Sequence, residues 1–120
     1  MAKRQNIHTI PTEYLQGEGS FIKIKAMSVE MFDRAEQRMR DVAAAQEAKD
    51  SVSIARLQRE SYEDYAEVVI AWDWVDDEGK ELPQPYHNPD TFSQLSVPEL
   101  MFIAEHLNPF SMLEKKEEKA

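Results

Sequence analysis

The sequence contains no cysteine, which removes disulfide frameworks, thiolate nucleophiles and thiolate metal sites, and leaves a reducing compartment open to the chain. Glycine is nearly as scarce, with three in 120 residues and none in the spacing of a phosphate-cradling loop. Long apolar runs are missing too. Val68 to Ala71 is typical of those present, whereas spanning a bilayer takes about 20 residues, so no membrane partner is expected and a soluble domain is. No apolar stretch follows the basic start MAKRQN, which therefore does not read as a secretory signal. Clustered bases are also lacking. Lys3, Arg4, Lys23 and Lys25 are the candidates for phosphate contact, too few to make nucleic acid an expected partner.

What is present is acid, and it is concentrated. The net charge is -9, and residues 61–100 hold ten acids against one base, while residues 1–60 are nearly balanced. Such a surface keeps a small protein dispersed and suits a basic or amphipathic protein partner. At 120 residues the chain has room for one modest core and not two.

The patterning along the chain predicts a mainly α fold. Residues 1–19 show no sustained period and read as an extended N-terminal arm punctuated by Pro11, Gly17 and Gly19. In SFIKIKAMS, Ile22, Ile24 and Ala26 alternate with Phe21, Lys23 and Lys25, the period of a half-buried strand. Ser28 is a good N-cap for a first long helix over about 29–48, on which Phe32, Ala35, Met39 and Val42 recur at helical spacing. After a polar junction at Lys49, Asp50 and Ser51, a second stripe of Ile54, Leu57, Ser61, Tyr65, Val68 and Trp72 predicts a second helix antiparallel to the first. Its end is ambiguous, because Ile70, Trp72 and Trp74 also alternate as a strand would. Ser96 and Glu99 have capping-box spacing and open a shorter helix over about 97–107, expected to bury Leu100, Ile103, Ala104 and Leu107. A single helical domain over 20–110 and a charged, flexible tail over 111–120 complete the expected organisation.

The acidic stretch VDDEGKELP invites a test for calcium. Placing Gly79 at the sixth position of an EF-hand loop puts Trp74 first and Pro85 last, so both ends lack a ligand, and a solvated reversal is expected with no metal bound. His8, His87 and His106 stand far apart, no serine sits in a nucleophile elbow, and no cofactor motif occurs, so an enzyme is not expected. An aromatic cluster remains. Trp72, Trp74, Tyr86 and Phe92, with Leu82 and Pro83, fall within twenty or so residues. They either close the bottom of a thin helical core or form the rim of a partner-binding groove, and these six are the candidate site residues.

Two stretches together carry a family likeness. SFIKIKAMSVEMFDRAEQRM resembles the opening strand-to-helix element of the tail assembly chaperones of long-tailed bacteriophages. AWDWVDDEGKELPQPY, followed by FSQLSVPELMFIAEHL, is similar to their second half, with Trp72, Trp74, Gly79 and Pro83 as landmarks over roughly 20–107. The resemblance implies a mostly helical, self-associating, non-enzymatic protein of the infected host's cytoplasm that is absent from the finished virion. It implies as partners the tape measure protein, whose apolar face such a chaperone covers, and the tail tube protein, whose subunits it helps recruit. It also implies a longer frameshifted form, for which Lys115 and Lys116 mark the expected slip. The alternative is a permanent structural or connector protein of the particle; an acidic mimic of nucleic acid is weaker, because tryptophans and prolines interrupt its carboxylates.

Overall fold

The computed structural model describes residues 7–107. The expected charged tail and the Lys115–Lys116 position lie outside them. Three strands, β1 (Ile7–Pro11), β2 (Phe21–Lys25) and β3 (Val69–Trp72), form one antiparallel sheet in the order β1-β2-β3. One turn of helix, α1 (Glu13–Gln16), links the first two strands. Two long helices, α2 (Val29–Glu47) and α3 (Ser51–Val68), separate β2 from β3. A 3-10 helix (Pro89–Gln94) and α4 (Val97–Leu107) complete the described chain.

This corrects the mainly α expectation built on two long antiparallel helices. The fold is mixed, because residues expected to be an arm or the end of a helix join the expected strand, β2, in a three-stranded sheet. The segment read as an extended arm supplies β1 and α1, tied down where the buried Thr12 donates its backbone N–H to the Ser20 carbonyl at 3.0 Å. At the other edge, α3 passes into β3 with no intervening turn, and Val69 has extended backbone.

Local chemistry explains the elements. Ile22 and Ile24 face the core while Lys23 and Lys25 face solvent, as the alternation demands. Ser28 caps α2 by accepting from the Met31 N–H at 3.1 Å, and Asp50 caps α3 by accepting from the Ser53 N–H at 3.1 Å. Between them Lys49 adopts a left-handed conformation (φ 56°), which lets the Asp50 N–H reach back to the Ala45 carbonyl at 2.9 Å and close α2. Ser96 and Glu99 make a reciprocal capping box at 2.9 and 3.3 Å. The second carboxylate oxygen of Glu99 accepts from Gln16, so the same glutamate ties α4 to α1.

The core lies between the sheet and the helices. Ile22, Val69, Trp72, Trp74, Phe92 and Ile103 are among its most buried members. Trp72 and Trp74 stack with ring planes 2° apart and centroids at 5.0 Å, and Phe92 meets Trp72 edge-on at 5.7 Å. Tyr62 and Tyr65 on α3 also pack against Phe92.

Candidate partner-binding groove

The structure disperses the six aromatic-cluster residues. Trp72, Trp74, Leu82 and Phe92 are in the core, with Trp74 fully enclosed, so they present nothing to a partner. Of the two readings left open for this cluster, the core describes these four residues. Pro83 is exposed, but its carbonyl is engaged, accepting from the Thr91 hydroxyl at 2.9 Å. Tyr86 is half-exposed and lies against the His87 ring with centroids at 3.8 Å. These two exposed residues do not join the others in one surface.

The acidic stretch is a hydrogen-bonded reversal. The Asp76 carboxylate accepts from the Glu78 and Lys80 N–H groups at 2.9 and 3.0 Å, and its backbone N–H donates to the Lys80 carbonyl at 2.8 Å. Gly79 takes φ 81°, the left-handed conformation that this turn requires, and Val75 bridges Glu81 across it. One oxygen of Asp76 is thus occupied by the turn itself. Among the described residues no group of three or more His, Asp or Glu is placed to hold a metal ion.

An apolar groove lies elsewhere, along α2. The residues of α2 that the fold buries are Met31, Arg38 and Ala45, one line of the helix. The apolar stripe Phe32, Ala35, Met39 and Val42 lies beside that line and is not fully buried. Met39 is 73% exposed and the other three are half-buried. Together with Tyr65 of α3 and Leu107 of α4 the stripe lines a groove of about 410 Å³. Ala104, expected in the core, is exposed and lines the same groove.

Polar residues of α2 and α3 meet beside the apolar wall, where Arg38 Nη2 is paired and its buried Nε has no hydrogen-bond partner. Asp64 on α3 accepts from Arg34 at 2.9 Å and from Arg38 at 2.7 Å, one oxygen for each guanidinium. This pairing, hydrogen bond first and charge second, holds Arg34 above its ordinary pKa. Arg38 and Asp64 are both buried, so neither could be removed singly without stranding a charge. Burial raises the Tyr65 phenol above its usual range, with Arg38 opposing, so it stays neutral at physiological pH. The Ser61 hydroxyl donates to the Leu57 carbonyl at 3.3 Å. The groove therefore sets an apolar wall beside the buried Arg38–Asp64 ion pair.

No family model, curated protein or solved structure matches the chain. Among the described residues, no helix is long and apolar enough to cross a membrane. The groove was written in the sequence only as a helical stripe. The same spacing of Phe32, Ala35, Met39 and Val42 would appear if another helix covered them.

Proposed function

We infer that this chain is a non-catalytic binding protein that covers the apolar face of a long helical partner, acting as a phage tail assembly chaperone on the tape measure protein. The observation that carries this reading is the groove of about 410 Å³ along α2, of a size that accepts side chains and lined by Ala35, Val42 and the exposed Met39. An amphipathic helix laid against such a groove places its apolar residues at three- and four-residue steps in contact with the stripe. The partner that the resemblance implies is long, largely helical and without a core of its own, so its apolar face must be covered until assembly. The ten acids of residues 61–100 favour a partner with basic residues flanking that face. Recruitment of tail tube subunits then follows as they displace the chaperone. The site of action is the cytoplasm of the infected host, self-association allows many copies to line one partner, and the finished virion lacks the protein.

Co-expression tests the reading. A tape measure protein from the same phage should become soluble and be retained by the tagged chain. A tape measure protein that stays insoluble beside abundant chain would refute it. Detection of the chain at stoichiometric level in purified particles would instead favour a permanent structural subunit.

A further inference from the structure

The two edges of the sheet are finished differently. At β3 the outward N–H of Trp72 donates to the Gln84 side-chain oxygen at 3.3 Å, and the Gln84 amide donates back to the Trp72 carbonyl at 2.8 Å. One glutamine therefore stands where the next strand would pair. At β1 the Thr12 N–H bonds inward to Ser20, so by the alternation of an antiparallel ladder Ile10 and His8 also bond inward, while Ile7, Thr9 and Pro11 turn their backbone groups outward. Among the described residues nothing bonds the outward groups of Thr9. Pro11 has no N–H and stands at the end of the strand, so it shortens the open edge without closing it. The solvent face beside this edge is basic. Lys25 pairs with Ile7 and Lys23 with Thr9, and both lysines are exposed. Among the described residues neither makes an ion pair, and Lys23 lies over the Phe21 ring at 5.9 Å. Neither β1 nor β2 carries an acid, in a chain whose net charge is -9.

We propose that β1 is a docking edge for an extended acidic segment of another protein, which adds a fourth strand to the sheet and sets its carboxylates against Lys23 and Lys25. The residue of such a strand that pairs with Thr9 shares the solvent face with it, and β2 lies two strand spacings away, about 10 Å at 4.8 Å each. Thr9 is short, so the stems of Lys23 and of a glutamate close that gap from either side. Backbone pairing holds the segment, and the lysines choose its charge. A second copy is the poorer occupant. A junction of β1 with another β1 brings lysines and no carboxylate to the shared face, and each copy carries a net charge of -9. None of the residues lining the α2 groove belongs to β1, so the edge stands independently of what the groove binds.

Amide spectra of the full, isotope-labelled chain test it. The chain is titrated with a blocked peptide of alternating glutamate and threonine, and with the counterpart in which lysine replaces glutamate. The proposal expects the glutamate peptide to shift the Ile7 and Thr9 amides, to show cross-relaxation between the Thr9 amide and the peptide backbone, and to bind about tenfold tighter than the lysine peptide. In about 1 M salt, where the Debye length is about 3 Å, that preference should vanish. Lys23→Gln together with Lys25→Gln, both on the solvent face, should abolish it too. Thr9→Pro removes an outward N–H and no bond of the ladder, and should weaken both peptides by about tenfold. Three results overturn the proposal: no shift at Ile7 and Thr9 with glutamate peptide on the order of millimolar, equal binding of the two peptides, or a preference that survives the double lysine substitution. Undiminished binding to a folded Thr9→Pro chain does so as well. Thr9 shifts that grow with the concentration of the chain alone assign the edge to a second copy, and also overturn it.

Discussion

Trp74 donates its indole N–H to the hydroxyl of Thr12 at 3.0 Å, joining residues 62 apart in sequence inside the core. The same Thr12 hydroxyl shares a hydrogen bond with Ser20 at 2.5 Å, and Ser20 in turn reaches the Asp73 carboxylate at 3.2 Å. This chain of contacts fastens the start of the protein to the segment after β3. Thr12→Val keeps the shape and deletes the acceptor, leaving a buried indole N–H unpaired. The variant should lose about 1 to 3 kcal/mol, read as a lower urea midpoint at unchanged slope. An unaltered midpoint would show that the contact does not hold the N-terminal segment in place.

Lys49 offers the opposite outcome. Its φ of 56° places a side-chain-bearing residue where glycine is the usual occupant, at the junction of α2 and α3. Lys49→Gly should raise stability by about 1 kcal/mol, the steric relief exceeding the added freedom of the unfolded chain. Urea denaturation checks it, and a lowered midpoint would mean that the lysine makes a compensating contact.

Asp50 sets a pH dependence. Its carboxylate accepts from the Ser53 hydroxyl at 2.6 Å and from the Ser53 N–H at 3.1 Å, and these two bonds, in that order, pull its pKa below the usual carboxylate value. Because the folded pKa is the lower one, the contribution is complete above the unfolded value of about 3.9 and fades as pH falls through the folded value. The stability gap between the wild type and Asp50→Asn should therefore be constant near neutrality and narrow on acidification below about pH 4. A gap that does not change with pH would mean that the carboxylate's charge contributes nothing to the cap.

Much of this fold was legible where the cause is local. The alternation at Ile22 and Ile24, the cap at Ser28 and the capping box at Ser96 and Glu99 each depend on a few adjacent residues, and each is found where the spacing puts it. What escaped depends on distant partners. β1 is almost wholly exposed, so it shows no alternation of buried and open positions, and only its pairing with β2 makes it a strand. The run Val68-Val69-Ile70-Ala71 satisfies a helical and a strand period at once, and pairing with Ile22 and Ile24 decides for β3 after Val68.

Four of the six candidate residues lie in the core for a related reason. Aromatic density marks both cores and binding surfaces, and Trp74 falls inside because Thr12, from the supposed arm, meets its indole. A periodic stripe such as Phe32 to Val42 states that a helix has an apolar face, without stating what covers it. Sequence alone could rank neither surface over the other.

The central claim is that the α2 groove, and not the tryptophan cluster, receives the partner. Met39→Glu tests it most directly, since Met39 is 73% exposed and the substitution puts a charge on the stripe without opening the core. Its folding stability should stay within about 0.5 kcal/mol of the wild type. Capture of the co-expressed helical partner should weaken by about 30-fold, the equivalent of a 2 kcal/mol hot spot. A folded Met39→Glu protein that binds its partner as tightly as the wild type would contradict the account.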